Sequence, residues 1–157
     1  MISKILISAC LLGDQVRYDG KGKLLSHPLL QTWLAEQRLI KLCPEIAGGL
    51  ATPRAAAEIQ HADHSQHRVI TSTGEDVSIA FKRGAEQALA LAQQHNIKFA
   101  LLKANSPSCG NQQIYNGHFT GELIPGMGIT ASLLQQHGIR VFNEHQLETL
   151  ALALKNQ

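Results

Sequence analysis

Four short apolar runs, separated by segments of helical character, constrain this chain more than any other feature. The runs are KILISA, RLIKL, IKFALLKA and IRVFN, which begin at residues 4, 38, 97 and 139. Between them lie stretches such as 77–95, in which apolar residues recur at helical spacing. Strands that alternate with helices are typical of a parallel sheet covered on both faces. The sequence therefore predicts an α/β protein, a Rossmann-like three-layer α/β/α sandwich with a mostly parallel sheet.

Capping residues and turn formers predict where the smaller elements begin. Ser26 is expected to cap the first helix and Asn143 the closing helix, because short polar side chains accept the free N–H groups of a first turn. The segment 125–138 is predicted to be a helix that stops at a glycine. Two small hairpin insertions are expected, at 67–81 around Thr-Gly-Glu-Asp and at 113–121.

Composition favours one domain with no membrane or nucleic-acid partner. The chain has 157 residues with 44% hydrophobic content, and no linker or repeat divides it, so residues 1–157 are expected to form a single domain. The net charge is +2, the basic residues are scattered and aromatic residues make up 4%, a pattern unlike a nucleic-acid footprint. Without a transmembrane-length run or a signal-like start, the predicted compartment is the reducing cytoplasm.

The three cysteines each stand alone in a motif rich in small or turn-forming residues. Cys10 lies in SACLLG, Cys43 in LCPEIAGG and Cys109 in SPSCG, each after the carboxyl end of a predicted strand. Ligands of open parallel sheets bind at that edge, so the three thiols are expected to share one site. A lone cysteine is usually packing. The flanking residues here leave backbone N–H groups free to point at sulfur and lower the thiol pKa, which favours a metal or cluster site.

The number of cysteines leaves more than one metal possible. Structural zinc takes four protein ligands, so it would need a histidine, and none of the eight histidines lies in the cysteine motifs. A cubane iron–sulfur cluster held by three cysteines leaves one iron open, and an open iron can act as a Lewis acid on a soft substrate atom. HADHSQH, at 61–67, is interpreted as a polar loop rather than a second metal site.

Three polar side chains next to the cysteines are candidates for the chemistry. Glu45 is a candidate general base or water-positioning group, with a surface carboxylate as the alternative. Ser106 is a candidate catalytic hydrogen-bond donor, and Ser108 is a candidate donor to the substrate.

Charged residues further along the motifs are candidates for the pocket floor. Arg17 and Asp19 follow the Cys10 loop and are expected to bind substrate. Arg54 and Glu58 are further candidates. For all four, an ion pair without substrate contact is the alternative.

The quoted motifs resemble a known family. SACLLGDQVRYDG, CPEIAGGLATPRAAAE and SPSCG are similar to the blocks of the thiouracil desulfidase family, and the resemblance spans nearly the whole chain. It implies a [4Fe-4S] cluster ligated by Cys10, Cys43 and Cys109, whose fourth iron takes the sulfur of a thiolated pyrimidine. It also implies that a glutamate and a serine assist, which map to Glu45 and Ser106. Ala56 departs from the family pattern, which usually has proline there.

The predicted function is the non-redox desulfuration of a thiolated pyrimidine, such as 2-thiouracil to uracil and sulfide, with a water oriented by Glu45. One alternative is an iron–sulfur sensor or sulfide carrier without catalysis. Another is a zinc- or thiolate-dependent hydrolase that uses Cys109 as nucleophile with a histidine. The sequence predicts no oligomeric state.

Overall fold

The structure of the protein is a computed structural model that describes residues 2–61 and 67–157. Its strands are β1 (Ile5–Ser8), β2 (Leu39–Leu42), β3 (Ala57–His61), β4 (His67–Thr71), β5 (Phe99–Leu102), β6 (Gln113–Tyr115), β7 (Leu123–Pro125) and β8 (Arg140–Asn143). Its helices are α1 (Pro28–Ala35), α2 (Pro44–Ala47), α3 (Ser78–Gln94), α4 (Ile129–Gln136) and α5 (Leu147–Lys155), with a 3₁₀ turn at Ala9–Leu12.

The four apolar runs form one parallel sheet in the order β2-β1-β5-β8. Leu6 on the central strand β1 pairs with Ile40 on one side and Ala100 on the other. The chain moves outward from β1 to β2 and then returns to the opposite side of β1 with β5. The order therefore reverses between β1 and β5, and in open α/β sheets such a reversal creates a crevice at the carboxyl ends of the strands.

Helices cover both faces of this sheet. Side chains of a strand alternate between its faces, so Ile5 and Ile7 pack with Trp33 of α1 and Leu150 of α5, whereas Leu6 packs on the opposite side. The second face is covered by α3 and α4, whose core residues include Ala88, Ala92, Ala131 and Leu134. Burial of each Leu or Ile side chain contributes roughly 1.5–3 kcal/mol. The predicted three-layer sandwich is confirmed.

A glycine brings α3 against α2. A Cβ atom added at Gly84 would lie 1.9 Å from the carbonyl oxygen of Pro44, so only glycine allows this approach. Because Pro44 directly follows Cys43, the contact fixes the position of the Cys43 loop against the long helix α3.

Two antiparallel hairpins, β3–β4 and β6–β7, are separate from the main sheet. The hairpin predicted within 67–81 is partly wrong. Strand β4 pairs with the preceding β3, while Thr-Gly-Glu-Asp forms a turn closed by the Glu75 carbonyl, which accepts the Thr71 N–H at 2.8 Å. The hairpin predicted at 113–121 extends further, because β7 lies beyond it.

Two predicted helix caps are wrong. At α1 the cap is His27, whose Nδ1 accepts the Leu29 N–H at 3.1 Å, rather than Ser26. At α5 the cap is Gln146 rather than Asn143, because Asn143 is the last residue of β8 and pairs with Leu102. In the described part of the chain, no helix combines the length and the apolar character that crossing a bilayer requires.

Candidate active site

All three thiols line one cavity of about 620 Å³ at the carboxyl edge of the sheet. Cys10 lies in the 3₁₀ turn directly after β1, Cys43 lies between β2 and α2, and Cys109 lies in the loop after β5. All three cysteines are free of disulfides. The parallel sheet thus brings together residues that are far apart in the sequence.

Burial raises the pKa of two of these thiols strongly. It raises the pKa of Cys10 to about 11, and the nearby Cys43 adds to the rise. Burial likewise raises the pKa of Cys109 to about 12, despite a hydrogen bond from Ser8. Both thiols are therefore protonated at neutral pH, and binding a metal as thiolates requires the release of their protons.

Cys43 is partly exposed and receives two backbone hydrogen bonds. The N–H groups of Ile46 and Glu45 at the start of α2 point at its sulfur, as the sequence predicted for this loop. Burial nevertheless raises the pKa of Cys43, because desolvation outweighs these donors. The expectation that the N–H groups would lower the thiol pKa is therefore wrong in its net sign. The thiol itself lies 3.9 Å from the Val16 carbonyl.

Glu45, the first residue after Pro44, lines the same cavity and is paired with Arg54. Arg54 donates from Nε at 2.9 Å and from Nη2, both to Oε2 of Glu45. The Glu45 side chain is only 15% exposed and the Arg54 side chain only 10%. Of the two alternatives considered for Arg54, the structure contains the ion pair, and its partner is the candidate base.

Ser106 and Ser108 both line the cavity, but their hydroxyl groups differ in their partners. The Ser106 Oγ accepts the backbone N–H groups of Ser108 at 3.1 Å and of Cys109 at 2.8 Å. Its own hydroxyl proton is left for another acceptor. The buried Ser108 shares a hydrogen bond of 2.7 Å with Thr130 at the start of α4.

Arg17 lines the cavity, whereas Asp19 lies outside its wall. The Arg17 Nη1 lies 3.8 Å from Oδ2 of Asp19, and the guanidinium lies 5.8 Å from the centre of the Tyr18 ring. Asp19 also accepts the Lys21 N–H at 3.0 Å. Asp19 therefore does not line the cavity itself but pairs with Arg17, which does.

The polar residues that line the cavity without having been selected from the sequence include Ser8 and Lys103. Ser8 ends β1, and Lys103 follows β5. The Lys103 ammonium lies 2.9 Å from Oε2 of Glu144 and donates to the Ala104 carbonyl at 3.1 Å. The sequence could have indicated Ser8 and Lys103 as site residues, because each is a polar residue at the carboxyl end of an apolar run.

The β3–β4 hairpin also contributes residues to the cavity wall. Glu58 of β3 is buried, and its Oε1 accepts the N–H groups of Gly117 at 2.9 Å and Phe119 at 3.2 Å. Its carboxylate thus ties the β6–β7 hairpin to β3. Thr71, Phe81 and Tyr115 also line the cavity.

Among residues 2–61 and 67–157, no group of three or more His, Cys, Asp or Glu side chains is close enough to hold a single metal ion. The polar loop predicted at 61–67 cannot be compared with the structure between its ends, because residues 62–66 lie outside the described residues.

The fold and the cavity define the class, a doubly wound α/β protein with three thiols and the Glu45 carboxylate at the crevice beside its central strand. The chain belongs to the 2-thiouracil desulfurase family, whose sequence model matches residues 5–146. The resemblance to thiouracil desulfidases is thereby confirmed. Because the members of this family are enzymes, the prediction that the chain is an enzyme is confirmed too.

Two known proteins are similar to this chain over nearly its full length. The uncharacterized protein YbbK of Bacillus subtilis is 39% identical over 151 residues, which is 93% of this chain and 99% of YbbK. A solved structure, that of the [4Fe-4S]-dependent thiouracil desulfidase TudS, is 50% identical and covers 99% of each chain. The TM-score between the two folds is 0.93, so TudS and this chain share the predicted architecture.

Proposed function

We propose that the protein converts 2-thiouracil and water to uracil and hydrogen sulfide, without an oxidant or a reductant. The carbon–sulfur double bond of the substrate is replaced by a carbon–oxygen double bond, and the two protons of water leave with the sulfur. The observation that supports this most strongly is that Glu45 and all three cysteines line one cavity. Membership of the 2-thiouracil desulfurase family supports the choice of substrate.

We propose a [4Fe-4S] cluster as cofactor, with Cys10, Cys43 and Cys109 as its ligands. The residues fit this group, because the donors are three soft thiols in one cavity and the sequence has no fourth cysteine. A four-iron cube is wider than a single ion, so its ligands can stand further apart. When bound, such a cluster supplies an iron without a protein ligand as a Lewis acid for the thiocarbonyl sulfur. The dependence of TudS on a [4Fe-4S] cluster supports the assignment.

In this proposal Glu45 orients the attacking water and accepts its proton. Its Oε2 is occupied by Arg54, so Oε1 is the oxygen that is left for water. The carboxylate is mostly buried, which limits competing solvent around it. A positioned base of this kind contributes about 10²–10⁴-fold to a rate.

Of the remaining candidates, Ser106 and Arg17 act as donors in the cavity wall, and Asp19 and Ser108 support the site. The Ser106 hydroxyl, whose oxygen already accepts two N–H groups, donates its proton to the substrate. Arg17 donates to the exocyclic carbonyl oxygen of the pyrimidine, and Asp19 orients Arg17 from outside the wall. Ser108 shapes the substrate-binding wall, and its hydroxyl is held by Thr130.

We also propose that residues 1–157 work as one domain, since the cavity is lined by residues from Ser8 to Tyr115. A reducing compartment, the cytoplasm, suits a site that depends on three free thiols. The proposed partner is a small thiolated pyrimidine rather than a nucleic acid.

The test begins with anaerobic purification and measurement of iron and acid-labile sulfide. We expect about four of each per chain. The loaded protein is then incubated with 2-thiouracil without any reductant, and uracil and sulfide should appear in equal amounts. A full cluster without product would instead support the sensor or carrier. Zinc in place of iron would support the hydrolase.

A further inference from the structure

We infer that Arg54 is a positioning residue that holds Glu45 in its reactive orientation, an inference that rests on the proposed function. Nε and Nη2 of Arg54 both donate to the same carboxylate oxygen, Oε2. In the described part of the chain, Oε1 has no hydrogen-bond partner. Arg54 thus occupies one oxygen and leaves the other for water.

Arg54 is itself held in place from three directions. Its Nη1 donates to the Ala51 carbonyl at 3.0 Å and to the Thr52 hydroxyl at 3.2 Å, and its backbone N–H donates to the Tyr18 carbonyl at 2.7 Å. Such a guanidinium has few alternative rotamers. The conformational entropy of the Arg54 side chain is therefore lost when the protein folds rather than when the substrate binds.

These contacts also join three loops around the cavity. Tyr18 belongs to the segment after Cys10, Glu45 to the segment after Cys43, and Arg54 to the connection between α2 and β3. Glu45 is therefore oriented relative to the Cys10 loop as well as to its own. A lysine could replace one contact of this fork but not all of them, because an ammonium is a point charge on a flexible stem.

The same pairing occurs elsewhere in the chain without a cavity. Arg68 donates from Nε at 3.0 Å and from Nη2 at 2.9 Å to Oδ2 of Asp76. These side chains are 60% and 42% exposed, and neither lines the cavity. An exposed pair of this type contributes little to stability. Arg68 is thus a matched control for Arg54.

The experiment compares Arg54→Gln, Arg54→Lys and Arg68→Gln in cluster-loaded protein of equal iron content. With 2-thiouracil, Arg54→Gln should lower kcat about 10- to 100-fold with little change in KM, since it alters orientation rather than substrate contact. Arg54→Lys should restore part of the rate. Arg68→Gln should match wild type. Added to Glu45→Gln, Arg54→Gln should cause almost no further loss, because both changes remove the same function.

Two results would overturn the role of Arg54. One is a kcat for Arg54→Gln equal to that of wild type; the other is a loss that multiplies fully with that of Glu45→Gln. Crystal structures of the loaded wild type and Arg54→Gln give a readout that needs no activity, and the Glu45 carboxylate should leave its position in the variant. An unmoved carboxylate contradicts the inference. A loaded wild type that releases no sulfide refutes the proposed function instead, and the crystal structures still decide whether Arg54 holds Glu45.

Discussion

The Ser8 hydroxyl lies 3.6 Å from the sulfur of Cys109, and its oxygen accepts the backbone N–H of Lys103 at 3.0 Å. Because the oxygen is occupied by Lys103, the hydroxyl proton is directed at the sulfur. The two contacts link the end of β1 to the residues after β5, across the reversal of strand order. A hydrogen bond to a ligating sulfur stabilises negative charge on it and so raises the reduction potential of a cluster.

Ser8→Ala should therefore lower the reduction potential of the bound cluster. It should also cost about 1–3 kcal/mol of stability, because the partly buried Lys103 N–H loses its partner. Potentiometric titration followed by electron paramagnetic resonance measures the first effect, and chemical unfolding measures the second. Ser132→Ala, which removes the partner of Gln136 on the exposed side of α4, is the control. A potential unchanged from wild type would show that the hydroxyl does not act on the sulfur.

Cys10→Ser, Cys43→Ser and Cys109→Ser should each abolish the brown absorption of the cluster. Three ligands are the minimum that the proposal allows, so the loss of any one leaves the cubane unheld. Leu134→Val, a change in the core beneath α4, should keep the cluster and cost only about 1 kcal/mol of stability. Iron and sulfide are measured after anaerobic reconstitution. A full complement in any cysteine variant would remove that residue from the ligand set.

Glu45→Gln should leave cluster content and substrate binding intact and lower turnover by about 10²–10⁴-fold. The amide keeps the size of the side chain but cannot accept the proton of water. Release of sulfide and uracil from 2-thiouracil is compared at equal iron content, with Arg68→Gln as the control. Turnover at the wild-type rate would exclude Glu45 as the base.

Much of the fold follows from periodicity, because buried parallel strands are short apolar runs and this chain separates them clearly. Leu6 and Ile7 face opposite sides of the sheet, as their positions require. The position of the three thiols at one edge of the sheet also followed from the sequence, because each cysteine comes directly after or shortly after the end of an apolar run. The errors were at element ends. Asn143 has the composition of a helix cap, but pairing with Leu102 keeps it in the sheet, and local sequence does not encode that competition.

Side-chain partners within the site were harder to predict. Arg54 was a candidate for the floor of the pocket, but its fork on Glu45 depends on how the loop at 51–54 folds back. The net rise of the thiol pKa values was also not predicted, because burial is a property of the whole packed structure. Sequence motifs indicate donors near a sulfur, and only packing shows how much solvent is lost.

Glu144 provides a test of the charges beside the cavity. Burial alone would raise the pKa of its carboxyl, but hydrogen bonds from Lys103 and from the Ala104 N–H outweigh burial, and the pKa is lowered below its usual value of 4.5. A carboxyl whose pKa is lower in the folded protein stabilises the fold above its unfolded pKa. This stabilisation is lost as the pH falls through the folded pKa.

Glu144→Gln should therefore destabilise the protein by about 1–3 kcal/mol at pH 7, because it replaces charge-assisted hydrogen bonds with weaker ones. Its difference from wild type should shrink steadily as the pH falls below about 4.5. Urea unfolding of the cluster-free protein, kept reduced and followed by circular dichroism between pH 7 and pH 3.5, measures this. Glu148→Gln, on the exposed face of α5, should keep the wild-type pH dependence. A difference between Glu144→Gln and wild type that stays constant with pH would mean that the Glu144 charge does not stabilise the fold.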